Sequence, residues 1–411
     1  MREAILDAAF RAPWGRGWRS PLSRTLLRCA LGGGGGGAWI TVTGTAPLTL
    51  PDAMNSPLRH LVRYGKCVQR DTPTPAAPAD IVCNNGALKP SRNIFRAPVI
   101  LGGTITNSGV DGTENSARCR IEYQYLPAGT YTISTDGICN NVIAWTYTTA
   151  SGDGGTRIAG SSSSFASLPL TFTLSEGRYF RAMCRYGGNA ALDADNLGHW
   201  QIEAGTEATP YAAPGIHDVV GAPETLTVAG QTATVEALLS AGSHADEQDL
   251  ISGSVIRRLG VYIVTGEEAF TLSSSGRVYF TAEGTVPNLR GLRADAFAAQ
   301  CTHFSTRGGN TVSELQNLEF VANGSGSPRY KNGRLAFRYD GVFTSPAAAK
   351  EWFAAQYAAA SPVIVVYTVR YAETQTLPPR PLTLTAGDNT VSSTAAVEAA
   401  LCATYKKEAR P

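Results

Sequence analysis

Residues 118–134 read RCRIEYQYLPAGTYTIS: two runs of alternating polar and apolar residues on either side of a Pro127-Ala128-Gly129 turn. A period of two puts one set of side chains on each face of a strand, and proline with glycine supplies the turn between. The pattern spreads in both directions. Strands are predicted over 94–100, 118–125, 130–134, 142–148, 170–174, 179–185 and 199–203, with turn clusters at Ser151 to Gly155 and at Ser175-Glu176-Gly177. Short strands at this spacing, with no helical pattern between them, point to a two-sheet sandwich of jelly-roll type over residues 91–213.

Outward from that sandwich the chain stays strand-rich. Residues 38–90 form a small β region, in which Trp39, Ile40 and Val42 alternate and Asn84-Asn85-Gly86 marks a turn. Residues 214–375 read as a β-rich domain with one helix at 346–357. Ser345 can cap that helix, Pro346 suits its first position, and Ala348, Trp352, Phe353 and Tyr357 supply an apolar stripe. Residues 376–411 are a C-terminal β segment. The expected fold is therefore mainly β and multi-domain: a jelly-roll β-sandwich plus a C-terminal β-rich domain with one helix. Similar short stretches begin at Pro47, Pro223 and Pro381, which suggests related small β elements.

The composition limits the chemistry. Of 411 residues 43% are hydrophobic and 17% charged, and the formal net charge is +2, so there is no general attraction to nucleic acid or membrane. No apolar run is long enough to span a bilayer. The eight cysteines are scattered, with no CxxC pair, and read as reduced, packed residues suited to assembly in a cytoplasm. The five histidines form no HExxH or HxH pattern, and the acids of the sandwich sit in no catalytic phrase. No enzyme activity, metal or cofactor is expected. His244 to Asp249 reads as a solvated acidic turn, with a cation site as the weaker alternative.

Residues 1–37 read as an N-terminal docking arm that ends in a hinge of six glycines, 32–37. Arg11, Trp14, Arg16, Trp18 and Arg19 are its candidate assembly residues, predicted to pack against a neighbouring protein. Nucleic-acid binding is the weaker reading, because no other segment offers a basic stripe. In the sandwich, Trp145, Tyr147, Tyr179, Arg181, Arg185 and Tyr186 are candidate glycan-binding residues. Sugars are held by aromatic faces and fixed polar groups, and a strand face that mixes tyrosine with arginine is unusual for a dry core. The competing reading is that these rings fill the sandwich or an oligomer interface. Trp200 is assigned to the core.

Several phrases resemble tail proteins of phages and prophages of gut and Gram-positive-type hosts. They are Leu61 to Gln69 with Thr72 to Gly86 (LVRYGKCVQ and TPTPAAPADIVCNNG), Gln201 to Tyr211 (QIEAGTEATPY), Asp249 to Gly260 (DLISGSVIRRLG), Gln300 to Phe304, Pro362 to Tyr367, and Gln375 to Val391. The resemblance implies a structural virion protein of the tail tip, baseplate or fibre with a carbohydrate-binding-like jelly roll. It also implies a homo-oligomer (a trimer is favoured), other phage tail proteins as partners, and host-surface polysaccharide as a further contact. Assembly would take place in the host cytoplasm. The alternatives are a capsid decoration or head-fibre protein and a glycan-cleaving tail enzyme.

Overall fold

The computed structural model describes residues 37–43, 48–50, 58–84, 86–188, 190–214, 216–220, 224–228, 231–274, 276–281, 299–307, 313, 315–323, 334–377, 389–393 and 400–406. The chain is mainly β, built from many sheets, with one α-helix among the described residues. Nearly all strand pairs described are antiparallel; Ser305–Thr306 alongside Glu319–Asn323 is the parallel exception. Arg11, Trp14, Arg16, Trp18 and Arg19 lie outside the described residues. Gly37, the last glycine of the run, already belongs to a strand, Gly37–Thr43.

The sandwich takes its strands from one continuous stretch: β1 (Val99–Leu101), β2 (Arg118–Leu126), β3 (Gly129–Thr135), β4 (Asn141–Tyr147), β5 (Thr156–Ala159), β6 (Ala166–Ser167), β7 (Leu170–Leu174), β8 (Arg178–Arg185) and β9 (Trp200–Ala204). The larger sheet runs β5-β4-β8-β2-β1, with β6 also paired to β4, and the smaller runs β7-β3-β9. Alternation decides what lies between them. Cys119, Ile121, Val142, Ala144, Phe180, Ala182 and Cys184 face inward from the larger sheet, against Tyr131, Ile133, Phe172, Leu174, Trp200 and Ile202 of the smaller. The expected core position of Trp200 holds.

The strand predicted over 94–100 is shorter than its sequence suggests. Gln124 reaches across and substitutes for ladder partners: its Oε1 accepts from Arg96 N at 2.9 Å and its Nε2 donates to Ile94 O at 2.7 Å. Regular pairing starts only at Val99.

The other described strands form sheets that join distant segments. In a seven-stranded sheet Ala400–Lys406 lies between Gly37–Thr43 and Leu58–Tyr64, followed in order by Glu247–Asp249, Ser254–Val264, Val363–Thr376 and Ala299–Cys301. Two of the three similar stretches noted in the sequence meet in one four-stranded sheet. There Leu48–Leu50 and Glu224–Val228 flank Asn389–Ser393. The stretch from Pro381 lies outside the described residues. A buried ion pair links these two sheets. Arg63 Nε donates to Glu224 Oε1 at 2.7 Å, with side chains 2% and 0% exposed.

The helix α1 (Pro346–Ala358) has the expected cap, Ser345 Oγ accepting from Ala348 N at 3.0 Å. It works as a joint. Ala349 and Phe353 enter the C-terminal core with Phe280, Phe304, Phe337 and Phe343, whereas Tyr357 and Ala358 enter the core of the sandwich. Arg96 of the sandwich lies 4.6 Å over the Tyr357 ring and pairs with Glu267 at 3.2 Å. No helix among the described residues is long and apolar enough to cross a membrane.

The solvated-turn reading of His244 to Asp249 is corrected. Asp246 is fully buried and accepts backbone N–H donors from Leu239, Arg258 and Leu259 at 2.7–3.1 Å. Burial still pushes its carboxyl above the usual carboxylate range. Asp249 is also buried and ties Leu61 N, Ile251 N and Ser252 Oγ. A strand pair forms here because each acid satisfies several backbone donors that an apolar side chain would leave bare. Cys67, Cys83, Cys119, Cys139, Cys184 and Cys301 are free and buried.

Arg63→Met alone takes the guanidinium away from buried Glu224 and should cost about 3–5 kcal/mol in denaturant unfolding, whereas Arg63→Met with Glu224→Leu should recover most of the loss. Equal costs would show that packing, not charge, dominates there. His303 is 1% exposed, and burial pulls its imidazole down to about 4. Its folded value lies below its unfolded value, so the stability it contributes is complete above about pH 6.5 and is lost as pH falls toward 4, by roughly 3 kcal/mol. His303→Gln should flatten that part of a pH–Tm curve.

Candidate functional site

The outer face of the larger sheet is where the predicted site residues gather. On β4 the outward residues are Ile143, Trp145 and Tyr147, and on β8 they are Tyr179, Arg181, Met183 and Arg185. Their neighbours on β2 do not keep a simple period of two. Phe180 faces Gln124 and Ala182 faces Ile121, so Arg181 alone opposes two residues, Glu122 and Tyr123. Such a bulge places consecutive residues on the same face. Arg181 thereby gains a carboxylate, Glu122 Oε2 at 3.2 Å, and an aromatic face, with its guanidinium 4.5 Å over the Tyr123 ring.

A covering loop completes the arrangement. Residues 102–114 fold back over the sheet, with Thr106 N donating to Val110 O at 2.8 Å and Gly112 N to Thr104 O at 3.2 Å. Ile105 inserts beneath, 3% exposed, its N–H donating to Met183 Sδ at 3.2 Å. Tyr147 Oη donates to Gly109 O at 2.5 Å. Gly109 has φ +84°, and a Cβ there would lie 2.8 Å from Tyr147 Oη and 3.2 Å from Trp145 Cδ1. Both the backbone conformation and the space require glycine. The loop is also tied sideways, Asn107 Nδ2 donating to Ser162 Oγ at 2.8 Å.

Charge is balanced at the centre of this face. Arg181 meets Asp111 Oδ1 at 2.5 Å, and Arg120 meets Asp111 Oδ2 at 3.2 Å and Glu122 Oε1 at 2.6 Å. Two arginines and two carboxylates neutralise one another. Burial pulls the Arg181 guanidinium down, but Asp111, Tyr123 and Glu122 outweigh it and hold the group above its ordinary value. The Tyr147 phenol, mainly through burial, is pushed up to about 12.

The six candidates therefore divide. Trp145 and Tyr147 are each 1% exposed and Arg181 3%, all beneath the covering loop, so they present no ring or guanidinium face to solvent. Burial under 102–114 is the physical reason: the alternation identified their face but not what covers it. Tyr179 is half-buried at the helix joint, where Lys350 Nζ donates to its Oη at 2.6 Å and lies 4.4 Å over the Tyr125 ring. Arg185 is half-buried, its guanidinium 3.9 Å over Phe165, and Tyr186 is 36% exposed. Sequence reasoning missed Phe165, Arg118, Asp111 and Glu122 as members of this face. Phe165 was the detectable one, an aromatic directly after Ser161 to Ser164, where a loop has no local need of it. Among the described residues no group of three or more His, Cys, Asp or Glu side chains is placed to hold a metal ion.

Removing Arg181 tests the centre of the face. Arg181→Leu leaves Glu122 and Asp111 partly uncompensated, and should cost about 3 kcal/mol and speed amide hydrogen exchange across 104–112. Unchanged exchange there would mean that Ile105 and Tyr147 hold the loop without the ion pairs.

Comparison of this chain with known proteins returned no matching family, no matching characterised protein and no matching solved structure.

Proposed function

We propose that this chain is a structural protein of a phage tail, in the tip, baseplate or fibre, whose sandwich meets saccharide on the host surface. The tail assignment is supported by the phrases spread through residues 61–391 that resemble phage tail proteins, together with a body made almost wholly of interlocked sheets. The saccharide assignment is carried by one observation. At the end of β8, exposed Tyr186 follows Arg185, whose guanidinium is stacked on Phe165. Aromatic surface beside fixed donors is the chemistry that holds sugar rings and their hydroxyls. The buried candidates take a supporting part. Trp145, Tyr147 and Arg181 fix the sheet and the covering loop from which these residues project.

The working residues would sit at the rim because the centre is spent on self-neutralisation. A saccharide needs unspent donors and a ring reachable from solvent, and Arg185 and Tyr186 meet that need better than any other pair among the six.

On an array of bacterial surface glycans the purified chain should bind a restricted set, and Tyr186→Ala should weaken that binding roughly tenfold without changing Tm. Absence of binding by the folded chain would refute the saccharide contact. Release of soluble product from wall polysaccharide would replace it with an enzymatic role. Gold-labelled antibody against the chain should mark the distal tail of particles that carry it, and label on the head shell would refute the tail assignment.

A further inference from the structure

Four arginines of β2 and β8 share the outer face of the larger sheet, but only two are neutralised. Arg120 and Arg181 divide Asp111 and Glu122 between them. Arg118 and Arg185 form a second pair, directly opposite each other in the register of β2 and β8. Both reach the same ring: Arg185 Cζ lies 3.9 Å and Arg118 Cζ 5.9 Å from the centre of Phe165. Their polar contacts are few. Arg118 Nη1 donates to Met183 Sδ at 3.7 Å, a weak acceptor. Arg185 Nε is buried and has no hydrogen-bond partner among the described residues. No carboxylate among the described residues lies within ion-pair distance of either guanidinium.

Like charges placed opposite each other across a strand pair are destabilising. A ring face offers each cation some attraction but removes no charge. Two guanidinium groups also carry ten N–H donors in planar forks, and these match the oxygens of a phosphate or carboxylate. An oxyanion seated between them would cancel the repulsion and use the idle donors together. Arg120 and Arg181 show what this sheet does when it supplies its own acids, and at Arg118 and Arg185 it supplies none.

We propose that Arg118, Arg185 and Phe165 form an anion subsite that holds the phosphate or carboxylate substituent of a host-surface saccharide. This rests on the saccharide contact proposed above and adds that the polymer is acidic. Tyr186 follows Arg185 directly in the chain at the end of β8, so a polymer lying along that end can meet both the tyrosine and the arginine pair.

The test uses the full chain and the double variant Arg118→Gln/Arg185→Gln. Replacing two like charges should leave the variant at least as stable as the parent in sodium chloride, which separates loss of binding from loss of fold. At matched ionic strength, sodium phosphate should raise the Tm of the parent by roughly 1–3 °C over chloride, and the variant should show no such rise. Binding is then measured to a phosphodiester-linked polyol polymer, to polygalacturonate and to neutral dextran. The parent should bind an acidic polymer, and the variant should bind it at least about tenfold more weakly; the acidic polymer preferred identifies phosphate or uronate as the source. An equal phosphate effect in parent and variant would overturn the subsite. So would tight binding to dextran that the variant retains, although the saccharide contact would stand. Binding to no polymer, with a phosphate effect that still depends on the arginine pair, would leave an oxyanion site and refute the saccharide contact.

Discussion

A guanidinium buried on a sheet face must be neutralised where it lies, and the outer face of the sandwich is arranged around that requirement. Arg181 is 3% exposed. One extra residue in β2 gives it Glu122 and Tyr123 together, and the covering loop brings Asp111 from the other side. Without the bulge, either the carboxylate or the ring would face the opposite way, into a core of Ile121, Ala182 and Ile133. Without the loop, Arg120 and Arg181 would share one acid. The bulge, the loop and the glycine at 109 are therefore parts of one electrostatic solution.

That solution also explains why the larger sheet can have two buried faces. Its inner face is apolar and packs on the smaller sheet. Part of its outer face is sealed by the loop, and another part by α1, whose Lys350 reaches Tyr179 and Tyr125. Here a lysine from one region meets aromatic rings of another, so the contact is cation on ring, with Tyr357 and Ala358 adding apolar area beside it. What stays open is the end of β8 and the edge at β1, where Ile100 and Leu101 are 40% and 42% exposed.

The sequence made some of this legible for definite reasons. Alternation in 118–134 is a local property, and it correctly separates Cys119, Ile121, Tyr131 and Ile133 from their outward neighbours. Ser345 and Pro346 are local too, and the helix begins where they place it. The bulge at Glu122-Tyr123 carries no glycine or proline, so nothing nearby announces it; only the partner strand reveals two residues facing one. The covering loop reads as Thr, Asn, Ser and Gly, and its hold on Trp145 and Tyr147 depends on contacts about 40 residues apart in the chain. Asp246 misled for a similar reason. An acid between His244 and Glu247 looks solvated until the strand Ser254–Val264 brings Arg258 and Leu259 N–H groups to it.

The phrases that resemble phage tail proteins also take on a physical meaning. In Gln201 to Tyr211, Glu203 accepts from Gln201 Nε2 at 2.6 Å and from Thr209 N at 3.1 Å and pairs with Arg92 at 3.2 Å, while Gln201 Oε1 accepts from Ala212 N at 2.8 Å. This is a clasp that ties the exit of the sandwich back onto β9. In Asp249 to Gly260, Asp249 secures a strand junction, and Arg258 and Leu259 supply two of the donors that Asp246 requires. Residues committed in this way answer to the fold. The residues at the rim, Phe165, Arg185 and Tyr186, lie outside every one of those phrases. Those segments therefore speak to architecture, while the chemistry of the open rim is decided by side chains that the architecture leaves free to change.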